Sequence, residues 1–496
     1  MELALRCCPR DAANDIDNDE KSSRFAHVLL SFQSALFSDA FTTRIRTSHS
    51  LGDVPGQQIS EFIRNSMAHN TAFDTRNALG RLFGLCTIKE VSDFVLEKTN
   101  ASLDSWFQET FQLSALEYLS CAFLSAGPAL RIDYNKPLAD DLFLTDDFWE
   151  TLAGDAKSKT KHLLDLAAQD VAVSTNPPTG TIEEFMYDAV SFYVRPVLRM
   201  GGVSLCTSSN LMLRKFLVGI PYLAFESRER TLKRALAENE RKQFRAPFGH
   251  AFEAYSCWLI RQLLTPQTNT KIFPNAKYGE NNECDIVLVS DDTAVCIECK
   301  ASMPSLALRR SGAFAQLDAM LKVGSMQSYK AALAMRCGEM KSSSGDAIEA
   351  VRYVIPCVLS YDDIPLSTLS GPFYERHLAG VAKMPLFAGE NGIEAVQFFD
   401  IDFVESWESR LDFSPSSRAL FGYLLQRARS LSIRYRSIQD GYSTNASPGS
   451  PKVFEPLVEA SKAFLNGQRE WFLRGGPQQS TAPWRGDSSK SLGVGR

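Results

Sequence analysis

The chain has 496 residues, 44% hydrophobic and 22% charged, which is enough for two or three domains with sizeable cores. A formal net charge of −5 argues against coating nucleic acid through bulk charge, though it leaves room for a local basic groove. No uninterrupted apolar run reaches the ~18 residues of a membrane span, so no membrane partner is expected.

Residues 1–22 are polar, acidic and aperiodic, which predicts a disordered N-terminus without the apolar core of a secretory signal. From 23 to 245 apolar residues recur at helical spacing, as in RFAHVLLSFQSALFSDAF, SLDSWFQETFQLSALEYLSCAFL and IEEFMYDAVSFYVRPVLRM. This half is expected to be an α-helical domain. Its end, ESRERTLKRALAENERKQFR (226–245), carries seven Lys/Arg against four Glu and reads as a solvated linker helix.

The pattern changes at 246. An amphipathic helix, PFGHAFEAYSCWLIRQLL, is expected with Pro247 near its first turn. Two strands, a helix around 324–341, the strand VRYVIPCVLSY and a weaker strand in AVQFFDIDFV follow, an α/β arrangement around a mixed sheet over 246–404. Residues 405–473 return to helical spacing in SRALFGYLLQRARSLSIRYRS and FEPLVEASKAFLNGQREWFL, a helical C-terminal extension. The Gly/Ser/Pro-rich tail at 474–496 is expected to be disordered. The fold class is therefore α+β and multidomain.

Eleven cysteines, an odd number without framework spacing, point to reduced thiols and a cytoplasmic location. Cys296 and Cys299 have CxxC spacing, but on a strand residues three apart face opposite ways and cannot share a metal. No GxxxxGK[ST], HExxH or GxSxG motif is present.

The segment ECDIVLVSDDTAVCIECKAS (283–302) reads as a strand, a tight turn and a second strand. With the turn centred between Asp291 and Asp292, Asp285 lies opposite Glu298, and Lys300 shares the face of Glu298. Two carboxylates so close repel, and burying them costs several kcal/mol (order of magnitude) unless something compensates. A solvent-facing, ion-paired sheet edge is the plain alternative. A hard divalent cation is the usual compensation: Mg²⁺, or Mn²⁺ in its place, on Asp285, Glu298 and the backbone carbonyl of Cys299. Lys300 would then position an attacking water, an assembly suited to phosphodiester hydrolysis. Arg309 and Arg310, in the connection after Lys300, could hold a phosphate backbone.

Asp285, twelve intervening residues and then Glu298-x-Lys300, among the aliphatic DIVLV and VCIECK, resembles the PD-(D/E)xK, or restriction-endonuclease-like, nuclease superfamily. The resemblance covers about 245–360, and Cys284 stands where the first motif has proline. It implies a metal-dependent nuclease with Asp285, Glu298 and Lys300 as catalytic residues. It also implies an acidic residue on the preceding helix, matched by Glu253 as a catalytic residue and further metal ligand; its alternative is a helix-surface carboxylate. Gly249, one turn earlier, would let that helix approach the sheet. A Gln or Lys on the following helix is matched by Gln327 as a catalytic residue and Lys330 as a nucleic-acid contact.

The expected function is thus phosphodiester hydrolysis of nucleic acid, DNA favoured, by analogy in a bacterial restriction or phage-defence effector. A homodimer, and a protein partner for the helical half, fit the same architecture. The competing expectation is a non-catalytic nucleic-acid-binding or assembly protein on the same fold.

Overall fold

The computed structural model describes residues 75–130, 143–144, 155–170, 195–200, 203–206, 209–264, 270–301, 314–362, 392–405, 407, 417–429 and 454–473. The expected disordered ends, the apolar stretch at 24–41 and the pair Arg309-Arg310 lie outside the described residues.

Among the described residues four helices come first: α1 (Thr75–Thr87), α2 (Lys89–Thr99), α3 (Leu103–Phe111) and α4 (Ala115–Leu130). Strand β1 (Phe143–Leu144), helix α5 (Asp155–Leu166) and strands β2 (Ala168–Asp170), β3 (Val197–Met200) and β4 (Val203–Cys206) follow. Helices α6 (Ser209–Leu217), α7 (Ile220–Leu232) and α8 (Glu238–Leu264) lead into strands β5 (Lys271–Tyr278), β6 (Asn282–Ser290) and β7 (Thr293–Lys300). Then come α9 (Phe314–Cys337), β8 (Tyr353–Ser360), β9 (Gln397–Asp400), α10 (Ile401–Glu405), α11 (Ser417–Arg429) and α12 (Phe454–Leu473). The class is α+β.

The first half is not purely helical. Strands β1 to β4 form a four-stranded sheet in the order β1-β4-β3-β2, with Val197 opposite Cys206 in the β3–β4 hairpin. The signal is local: VLRM and VSLC are short, largely apolar runs on either side of Gly201-Gly202, a hairpin pattern that the helical periodicity upstream obscures.

The charged stretch 226–245 is not one helix either. It breaks after α7, where Lys233 takes a left-handed φ of 53°. The carboxylates of Glu229 and Glu240 accept the backbone N–H groups of Leu236 (3.0 Å) and Ala237 (2.8 Å), which stabilises the loop. Helix α8 begins there, so Pro247 lies in its interior rather than near its first turn. A proline there costs one backbone hydrogen bond; its ring is buried, as are Phe248 and Phe252 beside it. Helix α9 starts ten residues before the expected 324 and stops at Cys337, where Gly338 supplies φ 72°. AVQFFDIDFV divides into β9 and α10, because Asp400 Oδ1 accepts the Phe403 N–H at 2.9 Å and caps the helix.

The larger sheet has the order β5-β6-β7-β8-β9, antiparallel from β5 to β7 and parallel from β7 to β9. One face carries Ile286, Leu288, Val295, Ile297, Ile355, Cys357 and Leu359 against α8. The other carries Val287, Ala294, Cys296 and Val354 against Ala331, Ala332 and Met335 of α9. Alternation at period two thus supplies an apolar residue to each helical layer.

The α8-side core continues into α1 to α4, α6, α7, α11 and α12. The boundary expected at 245/246 falls inside α8, and that at 404/405 inside α10. A buried ion-pair network joins these parts. Arg81 on α1 donates to both carboxylate oxygens of Glu405 on α10, each at 2.8 Å, and pairs with Asp402. Tyr255 on α8 donates to Glu405 at 3.2 Å. Glu405 could not remain charged there alone; burial pushes its pKa up to about 7 even with Arg81 opposing the shift.

Candidate active site

Ser290 pairs with Thr293 around Asp291-Asp292, and the ladder continues through Val287↔Cys296 to Ile286↔Ile297. This is the register expected from the sequence, and its next step would pair Asp285 with Glu298. The ladder stops instead. Oδ2 of Asp285 accepts the backbone N–H of Cys299 at 2.6 Å. Beyond this point β6 stays paired with β5 as far as Asn282, while β7 stays paired with β8 as far as Lys300. The two central strands part, and Asp285 and Glu298 stand at the opening.

A backbone irregularity marks the same place. Pro274 pairs with Ile286 and Ala276 with Cys284, but the Asn275/Asp285 pair between them is missing, and Asn275 has φ 51°. Before this point Ile286 packs on the α8 side and Phe273 on the α9 side; beyond it Cys284, Ala276 and Tyr278 all pack on the α9 side. Strict alternation would send those three to the α8 side. Both strands therefore exchange faces at Asn275/Asp285, a turn that Asn tolerates better than most residues.

Glu298 and Lys300 lie on the α9 side of β7. Lys300 Nζ donates to Glu298 Oε2 at 3.1 Å. Glu298 is only 1% exposed, and its Oε1 has no hydrogen-bond partner. Burial raises the Glu298 pKa; Lys300 opposes the shift, and Glu253 and Glu283 add to it. Burial likewise pushes Asp285 well above the carboxylate range, helped by the charges of Glu298 and Glu253 and opposed by Lys300 and the Cys299 N–H. For Lys300, burial works against the ammonium, but Glu298 and Asp285 outweigh it and its pKa rises. This is a mutually strained carboxylate pair held beside one cation.

Glu253 comes from α8. Its Oε2 lies 3.1 Å from His250 Nδ1. The amide of Asn275 faces two carboxylate oxygens, so hydrogen bonding assigns its nitrogen to that side. There it donates to Glu253 Oε1 at 2.8 Å and Glu283 Oε1 at 3.0 Å. Glu283 is also paired with Lys98 of α2 at 3.2 Å. Gly249 does not serve the expected close approach, since a Cβ there would meet nothing within 4 Å.

The close approach is on the other helix. A Cβ at Gly324 of α9 would stand 3.3 Å from both Cγ and Cε of Lys300 and 3.2 Å from Val358. The missing side chain is the channel along which the Lys300 stem runs. Gln327, one turn further along α9, has a buried Oε1 without a hydrogen-bond partner, and Lys330 is exposed. Cys296 packs on the α9 side and Cys299 against the α8-side core, so the two thiols face opposite ways.

Of the residues singled out from sequence, Asp285, Glu298 and Lys300 meet at the strand opening, and Glu253 acts electrostatically on both carboxylates. Asn275, Glu283 and Gly324 escaped that reading. An Asn inside an otherwise strand-like run and an acid two residues before Asp285 were the available signals. Among the described residues, no three His, Cys, Asp or Glu side chains are gathered tightly enough to hold a metal by themselves. Mg²⁺ does not need three, because one or two carboxylates, a carbonyl and waters suffice. The orphaned, buried Glu298 Oε1 is the feature that fits such an ion. Comparison with models of protein families, with curated proteins and with solved structures found no match.

Proposed function

We propose that the chain is a divalent-metal-dependent nuclease of the PD-(D/E)xK type, acting on phosphodiester bonds of nucleic acid, with DNA the favoured substrate. The observation that carries this reading is the buried Glu298 Oε1, without a partner, beside Asp285 at the opening between β6 and β7. A structural ion pair has no need of a second buried carboxylate that opposes it.

In this reading Asp285, Glu298 and the carbonyl of Cys299 hold Mg²⁺ or Mn²⁺, with Glu253 alongside. When bound, the ion supplies positive charge for the phosphate and favours deprotonation of water. Lys300 keeps its proton on Nζ, because Glu298 and Asp285 favour the ammonium. It therefore acts as a donor that orients the attacking water and offsets charge developing on the phosphate. Gln327 offers a buried amide oxygen one turn from the glycine that seats Lys300, suited to orienting the same water. Lys330, with Arg309 and Arg310, would hold the backbone of the substrate.

The second reading, a nucleic-acid-binding or assembly protein without cleavage, is favoured by one observation: Lys300 Nζ lies 3.1 Å from Glu298 and supplies it with a counter-charge. Incubation of purified protein with circular, linear and single-stranded DNA and with RNA, each with Mg²⁺ or Mn²⁺, separates the two. Cleavage that requires the ion and vanishes in Asp285→Asn and Glu298→Gln supports the nuclease. Metal-independent binding without cleavage of any substrate supports the alternative.

A further inference from the structure

We propose that Asn275 is a positioning residue, whose amide holds Glu253 at the β6–β7 opening and ties it through Glu283 to Lys98 on α2. The inference rests on the nuclease reading for its consequence, but not for its geometry.

Three observations on different atoms converge. The backbone of Asn275 is left-handed in the middle of β5, where the cross-strand pair with Asp285 is missing. Apart from glycine, Asn is among the residues that adopt this conformation most readily, so the turn and the amide call for the same residue. The side chain then meets two carboxylates from separate elements, Glu253 of α8 and Glu283 of β6, at 2.8 and 3.0 Å. Each of those has a further partner: His250 for Glu253, and Lys98 for Glu283.

The circuit closes on the N-terminal helices. Phe94, one turn before Lys98 on α2, sets its ring edge-on to His250 with centroids 6.0 Å apart. Helix α2 thus touches the ring of contacts twice, through His250 and through Glu283, and Asn275 joins the two arms. A donor with two N–H bonds fits this point. Glu253 and Glu283 repel each other, and the amide group carries two N–H bonds that can satisfy both without adding charge. Glu253 must itself stand near Asp285 and Glu298, whose own charges would drive it away. The amide opposes that repulsion. Groups that orient ligands in this way are worth about 10- to 100-fold in metal affinity.

The test uses Asn275→Gly, since glycine keeps the left-handed backbone and removes only the amide. The first measurement is a double-mutant cycle on thermal unfolding without metal, in the parent and Glu253→Ala backgrounds. Asn275→Gly should lower the melting temperature more in the parent, because the lost bond exists only with Glu253 present. Equal shifts in the two backgrounds would overturn the proposal. The second measurement is Mn²⁺ affinity by electron paramagnetic resonance without substrate, expected to weaken about 10-fold. The third is a cleavage rate that falls in kcat with KM near the parental value. A variant binding Mn²⁺ as tightly as the parent would overturn the proposed positioning role. If the parent binds no Mn²⁺ and cleaves nothing, the nuclease reading fails, whereas the metal-free cycle still decides whether Asn275 holds Glu253.

Discussion

Oδ2 of Asp285 accepts the backbone N–H of Cys299 at 2.6 Å, one step beyond the last pair of the β6–β7 ladder. The carboxylate therefore has two duties. It satisfies an N–H that the parting strands would leave unpaired, and it faces Glu298 and Glu253, which raise its pKa. Replacement by alanine would mix the loss of both.

Asp285→Asn separates them, because the amide oxygen can still accept from Cys299. The folded-state pKa of Asp285 lies above its unfolded value, so the native state keeps a proton that the unfolded chain releases. Stability then falls as pH rises above the ordinary carboxylate range, toward the raised value. Without metal, Asp285→Asn should match the parent below about pH 3, where Asp285 is protonated in both the folded and the unfolded chain. It should melt higher than the parent at neutral pH. Adding Mg²⁺ should raise the parental melting temperature and leave the variant nearly unmoved. Thermal melts across pH, with and without Mg²⁺, check both arms; a metal-free variant that unfolds at neutral pH would make Asp285 a structural residue.

Much of this site was legible because strand geometry is strict. With Asp291-Asp292 as the turn, period two brings Asp285 to the position facing Glu298 and sets Lys300 beside it, one step past the last ladder pair, Ile286↔Ile297. What alternation cannot announce is its own interruption. The left-handed backbone at Asn275 reverses both strands, and only the chain's path shows that Glu283 and Asn275 then meet Glu253. Gly324 was illegible for a related reason, since its use depends on the Lys300 stem running across α9. The small sheet in the first half escaped because its strands are two to four residues long, too short for a period to emerge.

The Gly324 packing makes a direct prediction. A valine there would put its Cβ within 3.3 Å of the Lys300 stem, and its methyl groups closer still. Lys300 should be displaced from Glu298 while α9 stays helical. Cleavage should fall about tenfold or more, the scale of a misplaced catalytic group. Far-ultraviolet circular dichroism beside single-turnover cleavage tests this; an unchanged rate would mean that the Lys300 path tolerates a side chain at 324.

The opposed faces of Cys296 and Cys299 predict that the pair binds no zinc. Metal analysis of protein purified without chelator should find no stoichiometric zinc lost in Cys299→Ser. One tightly held zinc per chain, released by that substitution, would contradict the β7 geometry itself.

Lys300 offers the sharpest test of the chemistry. Its ammonium lies 3.1 Å from Glu298, yet its side chain remains 25% exposed, so it can reach a ligand at the opening. Methionine roughly keeps the apolar stem beside Gly324 and removes the charge. Lys300→Met should bind Mn²⁺ and nucleic acid nearly as well as the parent, because neither contact is assigned to Nζ. Its cleavage rate should fall about a hundredfold or more, as expected for a lost charge-stabilising donor. Lys300→Arg should not restore the rate: the guanidinium branches where Lys300 carries Nζ, 3.1 Å from Glu298, and a planar fork with fixed charge is wider than an ammonium. Single-turnover cleavage at saturating Mg²⁺ for the parent, Lys300→Met and Lys300→Arg decides the matter. Near-parental rates in Lys300→Met would remove Lys300 from the reaction and leave it as the counter-charge that lets Glu298 stay buried.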